Sequence, residues 1–585
     1  MATETHKEFL ERIRKEGIEV IFARASPISS PEAHYPGFYP DPGIILPKGT
    51  VCLEGALPLP CDIVYESDVP VTMRDGTIIY TDVFRPTGVN KVPAIVAWSP
   101  YGKKMSNEVR MGGARAMGVQ SPLSGLEKSE SPDPAYWCNQ GYAVINPDAR
   151  GAFNSQGDIH FWGSQEAEDG HDLIEWVAAQ DWCNGKVGMS GNSWLAICQW
   201  FMAALRPPHL AAIAPWEGFA DMYRDSLAEG GIPDPFWGMF LKVAFFGHNR
   251  AEDIMAMIAK YPLMNSYWHD KAAKLDRIEI PAYVVASWSN FVHTPGTIAA
   301  FRQIPSKDKW LRVHNTMEFT DQYSPEGRED LHRFFDRYLR GIQNGWERTP
   351  RVRLSILDPG GTDEVNRPES EFPLARTQYR KLFLDAEEGK LSFNPVTQGA
   401  TTSYKADDGR ASFTMQFDQA QELTGYMKLH LWVETKGSDD MDLFVAVQKL
   451  DKMGRRMGHN SFSPYIPAVV LSNQLSYFIS GPRGRLRVSH RQLDPARSTD
   501  SEPYLTHAVE ELLSPGQVVP VEIPIRPISM RWRSGEQLRV VVAGYEVMGP
   551  PFPFLPPIPT RNKGEHIIHA GGKYDSHLLV PVIPH

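Results

Sequence analysis

The chain predicts two architectures in succession: a doubly wound α/β domain carrying a helical insertion, then an all-β domain of the jelly-roll type. Three observations lead there. Short apolar runs suited to buried parallel strands (Val92–Trp98, Tyr142–Asn146) alternate with helical spacing over Ala167–Gln180 and Leu195–Leu205. From Phe219 to Asp276 the strand pattern stops and helical, aromatic-rich sequence takes over. Beyond Pro350, runs such as Met427–Val433, Leu443–Gln448 and Gln537–Ala543 alternate as half-buried strands do, between turns rich in Gly, Pro and Asp. At 585 residues the chain is too long for one core, so several domains are expected.

Taken in order, residues 1–62 are rich in Pro and aromatics (His34–Pro42) and predict an extension that wraps over a surface. Residues 63–218 form the first part of the α/β core. It opens on a hairpin, Val71–Phe84, turned at Arg74-Asp75-Gly76. The helix from Ala167 places Ile174, Val177 and Ala178 on one face, and Leu210–Pro215 is a further strand. Residues 219–276 are the helical cap. Residues 277–350 resume the core with strands at Ile280–Ser287 and Trp310–Val313 and a closing helix, Leu331–Leu339, stopped by Gly341. Residues 351–585 are the jelly roll, from the strand Arg351–Ile356 to a Pro-dense extended tail at Pro550–Pro557.

Bulk properties exclude several classes. With 42% hydrophobic and 22% charged residues the composition is that of a globular protein, and a formal charge of −10 gives no reason to expect nucleic-acid binding. The N-terminus is charged and amphipathic with no apolar h-region, so it does not read as a secretory signal. No apolar run approaches the roughly 20 residues of a membrane span. The five cysteines lack metal-site spacing, which together with these features predicts a cytoplasmic protein with reduced thiols. Neither a metal nor a cofactor is expected, since no H-E-x-x-H or C-x-x-C occurs.

The chemistry concentrates at Lys186–Trp200. Val187–Met189 reads as a strand and Leu195–Leu205 as a helix, joined by Gly191-Asn192-Ser193-Trp194. A sharp strand-to-helix turn of small residues lifts one hydroxyl clear of the sheet, as a nucleophile elbow does. The helix N-terminus behind it offers free N–H groups to a developing oxyanion. The G-x-S-x-G pattern is only partly met, with Ala196 one residue beyond the expected second glycine.

Several ordered motifs between Ile63 and Val547 resemble the serine hydrolase family that includes cocaine esterase, α-amino-acid ester hydrolases and X-prolyl dipeptidyl-peptidases. They are Met73–Gly76 with Asp82–Pro86, Ser99–Lys103, Asp148-Ala-Arg150-Gly151 with Ser155 and Gly157, Glu166–Asp169, Trp182–Gly188 and Arg333–Gly341. The resemblance implies an α/β-hydrolase domain with an inserted cap and a C-terminal jelly roll. It implies Ser193 as nucleophile, and the phenol of Tyr101 with the N–H of Trp194 as the oxyanion hole. Asp148 and Arg150 are expected to form a structural pair bracing the loops.

Two departures stand out. Asn290, in Ser287-Trp288-Ser289-Asn290, occupies the place of the family's acid, and Glu318 the place of its histidine. Three readings stay open. In the first the roles are exchanged, His293 being the base and Glu318 its orienting acid, with His314 a competing base and Asn290 a polar contact. In the second Glu318 itself is the acid or base, its pKa raised by burial. In the third the triad is lost and the pocket runs a non-hydrolytic cyclisation, elimination or rearrangement. The favoured activity is hydrolysis or transfer of an ester or amide acyl group. The cap aromatics Trp237, Phe240, Phe245, Phe246 and Trp268 point to a bulky apolar or aromatic small-molecule substrate. The oligomeric state is open, a homodimer being the state to test.

Overall fold

The computed structural model describes residues 4–106, 119, 122–238, 244–290, 292–461, 478–479, 481–548 and 556–584. Phe240 of the cap and residues 550–555 of the Pro-dense tail lie outside them.

Eleven strands build the sheet of the first domain. They are β1 Asp41–Leu46, β2 Ile63–Thr72, β3 Ile78–Pro86, β4 Val92–Val96, β5 Ala143–Pro147, β6 Cys183–Asn192, β7 Leu210–Trp216, β8 Ala282–Ser287, β9 Lys309–His314, β10 Val352–Ile356 and β11 Glu364–Glu369. Their spatial order is β11-β10-β9-β8-β7-β6-β4-β5-β3-β2-β1. From β5 to β10 neighbours run parallel, and the strands outside these are antiparallel. Every residue of β4, β5 and β8 is buried, because helices cover both faces. Along β8, Val284 and Ala286 enter one core while Tyr283 and Val285 enter the other. The first core holds α1 (Gly163–Ala178) through Leu173, Ile174 and Val177, and α2 (Trp194–Ala204) through Leu195 and Ile197. The second holds α4 (Pro325–Leu339) through Leu331, Phe334 and Phe335, and α3 (Thr294–Gln303) precedes β9. Each fully buried Leu, Ile, Val or Phe contributes about 1.5–3 kcal/mol relative to exposure.

Two expectations about boundaries change. The wrapping extension contributes β1, which pairs through Ile44↔Tyr65 and extends the sheet. The strand Val352–Ile356 belongs to the first sheet and not to the jelly roll, since it lies parallel to β9 through Leu311↔Val352 and Val313↔Leu354. A strand with Val352, Leu354 and Ile356 all buried fits either sheet by pattern, and only pairing decides.

The cap is built of short segments: Tyr223–Leu227, Ile254–Lys260 and Ser266–Asp270. It is tied to the all-β domain by Arg485 on Asp234 (2.9 Å) and Arg526 on Glu229 (3.0 Å). The all-β domain is centred on the 16-residue strand Gln421–Lys436, which pairs antiparallel with Val519–Trp532. Its alternating burial is the half-buried pattern read in the sequence. The next strand in the chain, Asp442–Leu450, is buried throughout. Among the described residues no helix is long and apolar enough to cross a membrane.

Candidate active site

Strand β6 delivers the chain into α2 through a single strained residue. Ser193 has φ 54° and ψ −120°, a region that costs a non-glycine residue about 1–3 kcal/mol. Backbone hydrogen bonds hold it there: Ser193 N–H donates to Glu217 O (3.1 Å), and Ala196 and Ile197 N–H donate to Ser193 O (2.9 Å each). Asn192 N–H donates to Glu130 O (3.1 Å). Leu195, rather than glycine, is tolerated in the elbow because Gly191 faces it. A Cβ on Gly191 would stand 2.6 Å from that of Leu195. Ser193 stays partly exposed while its neighbours are buried, the access a nucleophilic serine requires.

The Ser193 hydroxyl lies 3.2 Å from His293 Nε2 and 3.5 Å from the phenol oxygen of Tyr101. Trp194, the first residue of α2, places its backbone N–H on the free N-terminal turn directly after the serine. Tyr101 is itself buried, on a loop anchored by Lys103. The Lys103 ammonium contacts Asp68 and lies 3.2 Å from Asp148, while its backbone N–H donates to Asp148 (2.7 Å). These groups are almost wholly buried, so removing one partner would strand a charge. Asp148 and Arg150 brace the loops through separate partners. Asp148 binds Lys103, and Arg150 grips Asp169 (2.7 and 2.6 Å) and Asp75 (2.9 Å).

The loops after β8 and β9 carry the altered positions. Asn290 Oδ1 accepts the N–H groups of Val292 and His293 (3.0 Å each), bending the loop into α3 with His293 as its N-cap. That bend brings His293 to Ser193. The other end of Asn290 donates from Nδ2 to Glu318 Oε2 (2.5 Å). Asn290 thus joins the two loops, and Glu318 is hydrogen-bonded to it and not to the histidine. His293 Nδ1 is buried with no hydrogen-bond partner among the described residues, so the acid–base contact that an exchanged triad requires is not formed. The His293 ring faces Phe219, stacked at 5.5 Å, and burial alone pushes its pKa down to about 3.

His314 is turned elsewhere. Its Nε2 lies 2.9 Å from Glu217 Oε1 and its Nδ1 3.1 Å from Thr316 Oγ1, so both ring nitrogens are engaged. Burial raises the Glu217 carboxyl, opposed by the His314 contact. Glu318 is held well above the usual carboxylate range by burial first, then by the like charges of Glu217 and Glu130. Glu217 and Phe219 did not figure as site residues in the sequence. The available signal was a charged residue at the C-terminal end of a buried strand, where sites in such sheets gather.

The aromatic groups divide. Trp237 packs edge-on against Phe219 (5.8 Å) and Trp162 (5.9 Å), and Phe245 against Trp194 (5.2 Å). Phe246 meets Phe153, and Trp268 packs on Tyr223 and Tyr267 inside the cap. Among the described residues no cluster of three or more His, Cys, Asp or Glu is disposed to hold a metal ion.

Comparison with known proteins follows this geometry. Residues 75–242 match the model of the X-Pro dipeptidyl-peptidase (S15 family), and residues 344–579 that of the X-Pro dipeptidyl-peptidase C-terminal non-catalytic domain. A solved CocE/NonD family hydrolase from Staphylococcus aureus is 37% identical, with a TM-score of 0.82 over 89% of this chain and 94% of that one. Cocaine esterase from Rhodococcus sp. (strain MB1 Bresler) is 26% identical over 60% of this chain and 67% of its own length. A solved α-amino acid ester hydrolase shares the fold at 17% identity, with a TM-score of 0.64 over 89% of this chain and 96% of that one. The chain therefore belongs to the CocE/NonD family of serine hydrolases, the family of cocaine esterase and X-prolyl dipeptidyl-peptidases, and is an α/β-hydrolase-fold enzyme.

Proposed function

We propose that this enzyme hydrolyses or transfers an ester or amide acyl group of a bulky small molecule through an acyl-enzyme on Ser193. The observation that carries the reading is the strained Ser193, whose hydroxyl meets His293 Nε2 at 3.2 Å and Tyr101 at 3.5 Å. His293 Nε2 takes the serine proton as Oγ attacks the carbonyl carbon. Negative charge grows on the carbonyl oxygen, where the Tyr101 phenol and Trp194 N–H donate. Collapse of the adduct breaks the bond to the leaving group, which receives the proton back from His293. Water or another acceptor then repeats the sequence on the acyl-enzyme.

The base is a dyad histidine without a carboxylate on Nδ1. A neutral imidazole can accept the proton at once, but nothing among the described residues stabilises the imidazolium that forms. Turnover below that of a complete triad is expected. The aromatic wall of Phe219, Trp237 and Trp162 behind His293 supports an apolar or aromatic substrate. The esterase named among the relatives supports an ester. One observation favours a second reading. The Glu318 carboxyl, held well above the usual carboxylate range by burial, can serve as an acid–base group, in hydrolysis or in a non-hydrolytic step.

Labelling with a fluorophosphonate, followed by intact mass, tests the first reading. We expect one adduct on the wild type and none on Ser193→Ala, with acyl transfer reduced on the order of 10⁴- to 10⁶-fold in that variant. A folded wild type that takes no label overturns the acyl-enzyme reading and leaves Glu318 as the group to pursue.

A further inference from the structure

A buried carboxyl group lies on the far side of the elbow from His293. Glu166, on α1, is buried at 4% exposure, and its Oε1 accepts two indole N–H groups, from Trp98 and Trp194, at 2.7 Å each. These two tryptophans are placed one on each half of the oxyanion hole. Trp98 ends the run from β4 into Ser99-Pro100-Tyr101, and Trp194 carries the backbone N–H that follows the nucleophile. The Trp194 ring is also gripped by Trp162 at 4.1 Å and Phe161 at 5.3 Å. Cys198 of α2 donates from Sγ to Trp98 O (3.6 Å), a second tie between the same two segments.

We infer that Glu166 is a positioning residue that sets the spacing of the two oxyanion donors by binding both indoles on one oxygen. The inference rests on the acyl-enzyme reading of Ser193. One acceptor atom shared by two donors fixes their separation in a way that two independent contacts would not. Small misplacement of such donors is costly, because removing one lowers kcat about 10²- to 10³-fold. Both indole N–H groups are taken up by Glu166, so the effect passes through the backbone each one holds.

The charge of Glu166 follows from its surroundings. Burial pushes the carboxyl up to about 8, opposed by the two indoles. Asp169 on the same helix raises it further and Lys271 of the cap lowers it, while Arg150 and Glu252 offset those two charges. Cys198 of α2 is itself pushed well up by burial and stays neutral. Below pH 8 the clamp is therefore a neutral acid, whose second oxygen, Oε2, is buried with no hydrogen-bond partner among the described residues. Above pH 8 it gains a negative charge behind the place where the oxyanion forms, and that repulsion raises the barrier.

The test compares wild type, Glu166→Gln and Glu166→Leu on a p-nitrophenyl ester between pH 6 and 9.5, with fluorophosphonate labelling and near-ultraviolet circular dichroism in parallel. Gln keeps the accepting oxygen and cannot ionise. We expect it to retain at least a third of the wild-type kcat at pH 7 and to lose the alkaline fall in kcat expected of the wild type above about pH 8. Leu should lower kcat about 10²-fold or more, with KM within about threefold, and should alter the tryptophan signal at unchanged melting temperature. Persistence of the alkaline fall in Glu166→Gln, or kcat within threefold of wild type in folded Glu166→Leu, overturns the proposal. If the wild type neither turns over nor labels, the acyl-enzyme reading has failed. The clamp is then judged by circular dichroism, and an identical indole signal in Glu166→Leu overturns it too.

Discussion

The two sides of Ser193 are built on different terms. On the elbow side every group is over-determined. The strained serine is held by backbone bonds to Glu217 and its own helix, and Tyr101 by a loop pinned through Lys103 to Asp68 and Asp148. On the base side the satisfied groups are those that do not touch the serine. His314 has both nitrogens engaged and the Asn290 side chain makes three hydrogen bonds, whereas His293 Nδ1 has no partner among the described residues. Three carboxyl groups, Glu318, Glu217 and Glu130, interact there, and among the described residues no guanidinium or ammonium is one of the groups that shift Glu318. On the proposed acyl-enzyme mechanism, charge stabilisation and proton transfer fall to separate parts of this scaffold. The first depends on backbone geometry that α2 and the sheet impose, and the second on a few side chains at loop ends.

Substitutions on each side can break or sharpen that contrast. The largest effect after loss of the nucleophile is expected from His293→Ala, about 10²- to 10⁴-fold in kcat, the range of general-base catalysis. Steady-state kinetics on an ester that the wild type turns over measures it, and near-normal turnover would remove His293 from the dyad. Tyr101→Phe deletes only the phenolic donor, so kcat should fall about 10²- to 10³-fold with KM nearly unchanged. A rise in KM alone would make Tyr101 a binding residue. Glu318→Gln should cost the dyad enzyme less than tenfold, whereas a 10²-fold loss would favour the second reading.

The same variant reports on stability. Glu318 is raised above its unfolded value, so the folded state binds more protons over that interval and wild-type stability falls as pH rises through it. Gln cannot ionise, so Glu318→Gln should melt higher than wild type near and above neutral pH. The gap should close below about pH 4, near the unfolded pKa of glutamate. A gap that does not change with pH would mean that Glu318 is not strained by burial.

Much of this was legible in the residues. Apolar runs such as Val92–Val96 and Ala282–Ser287 announce strands covered on both faces, and the alternation of Gln421–Lys436 announces a half-covered one. Ser193 stands out because so few residues fit between a buried strand and a buried helix. Local pattern could not assign Val352–Ile356 to a sheet, since three buried apolar residues in five suit either core. It also could not separate His293 from His314, two histidines on neighbouring loops of similar polarity.

What the amino-acid sequence determined alone was the order of strands and helices, the elbow and the loops that face it, because hydrophobic period and turn chemistry act over a few residues. The tertiary structure decided which polar groups meet across those loops: Asn290 with Glu318, His314 with Glu217, His293 with Ser193, and two distant tryptophans on one Glu166 oxygen. Such pairings depend on directions and distances of a few tenths of an ångström between segments as much as 100 residues apart, and these exist only once the sheet has closed around them.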